Sequence, residues 1–208
     1  MTTRRILLVI LLAGVAGASP AQAVNDQAVL VLHALPYNSG QSCSNYEIAN
    51  FDCRTPATVS VGGAETIDAF LMVYDFDDVS GVQCQFTWGA GWVFQGWRGG
   101  CVANQVNGVT PTGDTQRQIA TAFDAVVRPA RVAVIGWLTL TTGPADCLQI
   151  GESTYPFGTH IVDQGTGTST AIPLERRGSI CSGQNGVDGC TLGTTMTNST
   201  WGAIKSGF

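Results

Sequence analysis

Val82-Gln83-Cys84-Gln85-Phe86-Thr87-Trp88-Gly89-Ala90-Gly91-Trp92-Val93-Phe94-Gln95-Gly96-Trp97 is the stretch whose reading decides the architecture. Val82, Cys84, Phe86 and Trp88 alternate with Gln83, Gln85 and Thr87, the period-two pattern of a half-buried antiparallel strand. Gly89-Ala90-Gly91 then reads as a three-residue hairpin loop, with Trp92 to Trp97 as the returning strand. If Trp88 pairs with Trp92, Phe86 faces Phe94 and Cys84 faces Gly96. That register puts Trp88, Trp92, Phe86 and Phe94 on the core face and sends Val93, Gln95 and Trp97 to the other. Trp97, beside Arg98 and on the same outward face as Val93, is therefore the expected binding surface. Flat aromatic rings left at a surface serve as platforms for protein or sugar partners.

Working outward, Ala28 to Ala34 is a nearly continuous apolar run, broken at His33 and stopped by Pro36, the mark of a strand covered on both faces. Ala57 to Val61 is a brief strand ended by Gly62-Gly63. Ile67 to Phe76 is rich in aromatic and branched residues and runs into Asp77-Asp78, where it must reach solvent. Arg131 to Thr141 is a further apolar strand, and Leu148 to Ile150 and Thr159 to Val162 are shorter ones. Residues 116–127 fit two patterns: Ile119, Ala122, Phe123, Val126 and Val127 form a helical stripe, whereas Ile119, Thr121 and Phe123 form a strand face. Local pattern favours the helix. About seven to nine short strands separated by turn signals, with no alternation of helix and strand, predict an all-β antiparallel sandwich with disulfide-stapled loops.

The 208 residues suit one compact domain, and 44% apolar with 12% charged residues excludes a disordered chain. The only lysine is Lys205, so a basic nucleic-acid face is not expected. Arg4 and Arg5, the apolar run from Ile6 to Val15, and the small residues ending Ala21-Gln22-Ala23 give residues 1–23 the three-part layout of a secretory signal peptide. The run is too short for the roughly 20 residues that span a bilayer. The expected organisation is a leader over 1–23, a β-sandwich over 24–190 and a tail over 191–208, exported and extracellular or surface-attached. Losing Arg4 and Arg5 takes Lys and Arg from 10 to 8 against 15 Asp and Glu, a net charge of −7. Such a surface repels nucleic acids and anionic lipids.

Seven cysteines in an oxidising destination read first as disulfides with one thiol left over. Cys43 with Cys53 and Cys181 with Cys190 would close short polar loops, and Cys84, Cys101 and Cys147 compete for the third bridge. Neither His33 nor His160 has a cysteine at zinc-ligand spacing. His33, inside an apolar strand, reads as an interior histidine, and His160 as a loop or edge residue without an evident partner. No cofactor is expected, with one opening for calcium: Asp75, Asp77 and Asp78 stand at a strand end, where a hard cation can collect oxygen ligands. The same carboxylates are the sole motive for a polysaccharide hydrolase, since no nucleophile elbow, zinc-protease motif, phosphate loop or dinucleotide fingerprint is present.

The chain ends Thr200-Trp201-Gly202-Ala203-Ile204-Lys205-Ser206-Gly207-Phe208. With Ser199 or Thr200 as N-cap, Trp201, Ile204 and Phe208 share one face of a short C-terminal helix that must dock to be stable.

Residues 67–97, 119–124 and 132–150 resemble the cohesin-like and carbohydrate-binding-module-like sandwiches of secreted bacterial proteins. The residues that carry the likeness are Val79-Ser80-Gly81-Val82-Gln83-Cys84-Gln85-Phe86 and the later strand Gly136-Trp137-Leu138-Thr139-Leu140. The Trp-Gly-x-Ile-Lys step of the tail is similar to a tail found on many secreted proteins of bacterial lineages. The resemblance implies a strand at 116–124 in place of the helix. It also implies a non-catalytic module that binds a scaffold, a glycan or its own kind. The cysteines and the region from Tyr155 to Gly189 depart from the cohesin pattern. The leading expectation is thus an exported binding or adhesion module. The alternative is a self-assembling structural subunit that uses an edge strand or the tail.

Overall fold

The structure, a computed structural model, describes residues 25–43, 60–127, 132–163, 167–184 and 186. Among them lie twelve strands: β1 (Val29–Pro36), β2 (Ser60–Val61), β3 (Thr66–Tyr74), β4 (Asp78–Thr87), β5 (Val93–Gly99), β6 (Val106–Val109), β7 (Gln118–Val127), β8 (Val132–Thr141), β9 (Cys147–Gly151), β10 (His160–Val162), β11 (Ser169–Ala171) and β12 (Ser179–Ser182). A 3-10 turn covers Leu174–Arg176. No helix of the described residues is long and apolar enough to cross a membrane. The leader and the tail, with Trp201, Ile204 and Phe208, lie outside the described residues, as do Cys53 and Cys190.

β1, the run read as covered on both faces, the apolar runs of β3 and β8, and β5 form one four-stranded antiparallel sheet in the order β1-β3-β8-β5. The second, eight-stranded sheet is centred on β4. One edge of β4 pairs with β7, which carries β6. Its other edge is shared by β10 and β9, which lead on to β11 and to β12 and β2. All pairings are antiparallel except β2 with β12. Between the layers, alternate residues from both sheets interdigitate: Leu30 and Leu32 of β1, Leu71 of β3, Ile135, Leu138 and Leu140 of β8 meet Val82, Cys84 and Phe86 of β4, Ile119 of β7 and Ile150 of β9. At roughly 25 cal/mol per Å² of apolar area removed from water, this layer is the main stabilising term. The smaller sheet is buried on its outer face as well. There Val31, Phe70, Met72, Val134 and Trp137 cluster, with Phe70 stacked on Trp137 at 5.2 Å.

Three expectations change. β4 and β5 are not a hairpin: after Trp88 the chain crosses between layers, and β5 pairs with β8. A three-residue glycine loop permits a hairpin without dictating one. Residues 116–127 hold a strand, not the helix favoured by local pattern. β7 sends Ile119, Thr121 and Phe123 inward because β4 and β6 supply a ladder on both sides. Last, the bridges are not the short loops. Cys43 joins Cys101 across a separation of 58 residues, against the outer apolar cluster of the smaller sheet, and Cys147 joins Cys181 across 34, between paired positions of β9 and β12. Cys84 is a free, buried thiol, and burial pushes its pKa up.

Peptide mapping without reduction is expected to link Cys43 to Cys101 and Cys147 to Cys181, and to leave Cys84 unalkylated until the protein is unfolded. Leu138→Ala, which empties space between the layers, is expected to cost about 2–5 kcal/mol in equilibrium denaturation. Rapid alkylation of Cys84 in the native protein would contradict this packing.

Candidate functional site

The outer face of the larger sheet carries a concavity lined by residues of β4, β6, β7 and β10. β4 and β7 provide its floor. Ala120 and Ala122 alternate outward between the buried Ile119, Thr121 and Phe123. By register, Gly81 lies between Ala122 of β7 and Val162 of β10. A side chain on Gly81 would come within 3.1 Å of the Thr121 carbonyl, so the floor here is backbone. β6 supplies one wall through Val106 and Gly108, and β10 supplies the other through His160 and Val162, with Gln83 at the end. The resulting trough holds about 330 Å³ and is mostly apolar. Val106 is 68% exposed on its rim.

Above the β10 wall sits the loop between β9 and β10, and its fastening is polar. Gln83 Nε2 donates to the carbonyls of Pro156 at 2.9 Å and Gly158 at 2.8 Å. His160 Nδ1 also bonds the Gly158 carbonyl, at 3.1 Å. Glu152 accepts the Thr159 amide at 2.9 Å and pairs with Arg177 at 2.5 Å. Those bonds hold the Glu152 carboxyl below its ordinary range, the Thr159 amide first and the guanidinium second. Thr159 Oγ1 completes the closure by donating to the Gly151 carbonyl at 2.8 Å. The loop is therefore preset before anything binds.

What it presents is Phe157. This side chain is 82% exposed, its ring meets that of His160 edge-on at 6.0 Å, and its backbone sits at φ +77°. A bulky residue in the left-handed region costs about 1–2 kcal/mol relative to the right-handed one. Leaving a large ring in water on a strained backbone serves no purpose in folding. Strain and exposure at one residue beside an apolar trough mark a contact surface.

The residues expected to bind are not gathered at one place. Val93 and Arg98 are exposed on β5, but a register shift between Phe94 and Gly96 reverses the alternation and turns Trp97 inward. Trp97 packs partly buried against the core, with its ring 6.1 Å from Phe86. Asp75, Asp77 and Asp78 stand around the turn into β4, where Asn25 Oδ1 accepts the amides of Asp77 and Asp78 at 2.7 and 3.1 Å. Among the described residues no three His, Cys, Asp or Glu side chains form a group that could hold a metal ion, so these carboxylates do not converge. His33 is half-buried on β1, and desolvation lowers its pKa. His160, read as a partnerless edge residue, is 6% exposed and bonded within the trough wall.

Sequence reasoning missed the trough because its floor is made of small residues that carry no pattern. A Pro156-Phe157-Gly158 turn with an aromatic at its tip was the one signal available. Arg117 was also missed: its guanidinium lies 4.0 Å over the Trp88 ring and bonds Asp114, closing one end of the sandwich.

No family model matches the chain, and none of the curated proteins does. Among solved structures it is similar to a cohesin module from the family 33 glycoside hydrolase of Clostridium perfringens ATCC13124. The identity is 9%, over 73% of this chain and 96% of that one, with a TM-score of 0.45. It is also similar to a type II cohesin domain from the cellulosome of Acetivibrio cellulolyticus, at 12% identity over 59% of this chain and 90% of that one, with a TM-score of 0.42. At these identities the likeness concerns the outline of the fold and names no residue of the trough.

Phe157→Gly is expected to raise stability by about 1 kcal/mol in denaturant titration, since glycine enters the left-handed region without a Cβ penalty. The Glu152 carboxyl, depressed in the folded state, favours folding at pH above its unfolded value, and that contribution fades as pH falls through the lowered folded value. Protection of the Thr159 amide, its exchange rate relative to an unstructured peptide at the same pH, is therefore expected to fall as the carboxyl protonates, and to be reduced already at neutral pH in Glu152→Ala, which removes the acceptor.

Proposed function

We propose that the protein is exported and acts outside the cytoplasm as a non-catalytic binding module, whose trough between β6 and β10 takes an apolar segment of another protein. The observation that carries this reading is the exposed, strained Phe157 held by Gln83 at the edge of an apolar concavity. Preset loops lower the ordering cost of association, and a ring already out in water adds contact area when a partner covers it. The two disulfides suit an oxidising compartment, in keeping with the leader read over residues 1–23. A protein segment fits better than a sugar: the trough is walled by Val106 and Val162, and polar side chains are sparse along it.

The test is selection from a random displayed-peptide library on the full mature chain, with a glycan array run in parallel. Peptides are expected to be enriched, and to lose at least about tenfold in affinity on Ala122→Arg, which fills the floor, and on Phe157→Ala. Enriched peptides that bind wild type and both variants equally would remove the trough from the assignment. Glycan binding untouched by either substitution would replace this reading with a different one.

A second reading keeps one observation of its own. Among the described residues the smaller sheet ends in β5, which pairs with β8 and exposes Val93 at 58%, an edge suited to strand addition by another copy. Size-exclusion chromatography of the chain with and without residues 197–208 separates the two. A self-assembling subunit gives higher oligomers, which persist on truncation if the β5 edge makes the contact and dissolve if the tail does, whereas a monomer in both forms rejects this reading.

A further inference from the structure

We infer that the segment bound by the trough presents an uncharged hydrogen-bond donor to His160, and that mild acid releases it. The inference rests on the trough being the binding surface. His160 lies in the β10 wall, 6% exposed, with Nδ1 3.1 Å from the Gly158 carbonyl. A carbonyl oxygen can only accept, so Nδ1 carries a hydrogen while this bond exists. In the neutral ring Nε2 is then the nitrogen with the lone pair. A partner lying across the trough removes the remaining water from the ring. It must then offer Nε2 a donor, such as a backbone amide, a hydroxyl or a side-chain amide, or leave a buried acceptor unmet.

Protonation reverses this match. The proton adds at Nε2, turning the acceptor into a donor that confronts the partner's own donor, and it places a positive charge beneath the covered surface. Among the described residues no carboxylate is paired with the ring. β4 faces it with Gln83 and β11 with Ala171, as the strand registers show, and the preceding loop faces it with Phe157. β6 and β7 contribute Val106, Ala120 and Ala122 to the trough. The charged groups nearby are otherwise engaged: Glu152 with Arg177 and the Thr159 amide, and Asp124 with Asn104. Asp163 is buried three residues further along, where the alternation of β10 turns to the inner layer. Histidine is the side-chain type that gains charge between about pH 5 and 8, and the comparison is made across that interval. By linkage, a partner that selects the neutral ring makes the ring harder to protonate.

The experiment uses the mature chain and the peptides enriched at pH 7.5 on wild type. Their affinity is measured at pH 7.5 and pH 5.0 for wild type and for His160→Gln, which keeps a donor and an acceptor but does not titrate. Wild type is expected to lose about tenfold or more at pH 5.0, and His160→Gln to change little. In an NMR titration, saturating peptide is expected to move the His160 midpoint to lower pH. Equal wild-type affinity at the two pH values, an identical loss in His160→Gln, or an unmoved midpoint would overturn the inference while leaving the trough assigned. If no peptide is sensitive to Ala122→Arg, the trough assignment and this inference fall together.

Discussion

Between Trp88 and Trp92 the chain has to change layers, and the rest of the molecule depends on that step. The Trp92 amide bonds back to the Gly89 carbonyl at 3.0 Å, making a tight turn. Gly91 then lies so close to Gly143 that a Cβ on the latter would stand 2.5 Å from the Gly91 carbonyl group. Trp88 ends in one sheet and Phe94 begins in the other, and their rings stack at 5.8 Å with an interplanar angle of 10°. The guanidinium of Arg117 covers the outer side of the Trp88 ring. Because β5 departs to the other sheet, both edges of β4 are left for β7 and for β9 with β10. The floor and far wall of the trough follow from that departure.

Much of the sandwich was legible in the sequence, and the reason lies in period and burial. The alternation from Val82 to Trp88 and the apolar runs of β1, β3 and β8 are local records of which faces are covered, and the structure covers those faces. What local pattern cannot record is the partner of a strand. Phe86 and Phe94 do point into one core, yet they meet from opposite layers and not along one ladder. Ile119, Thr121 and Phe123 suit a strand only because β4 and β6 flank them. The bulge at Phe94 to Gly96 moves Trp97 to the inner face without leaving any mark in composition. Short cysteine loops looked economical, but bridging follows spatial neighbours, and Cys147 and Cys181 are paired residues on adjacent strands. Of the candidate site almost nothing was legible. Ala120, Ala122, Gly81 and Gly108 are informative only once four strands lie side by side.

The trough joins a fastened loop to the wall that a partner would cover. The Glu152 carboxylate holds the loop that carries Phe157, and the Thr159 amide and the Arg177 guanidinium keep its pKa below the ordinary carboxylate range. His160, in the wall below the same loop, is tied to the Gly158 carbonyl. The fastening of the loop and the lining of the trough thus rest on different side chains. The arrangement is consistent with a site where the backbone strain of Phe157 is retained at some cost in stability.

The most direct test is the set of backbone NOEs between strands in the mature protein. Cross-strand contacts are expected between Trp97 and Leu138 and between Cys84 and Ile119, which place β5 and β4 in separate sheets. A ladder joining Phe86 to Phe94 and Cys84 to Gly96 would contradict it, because a β4–β5 hairpin occupies an edge of β4 that the trough requires for β7 or for β10.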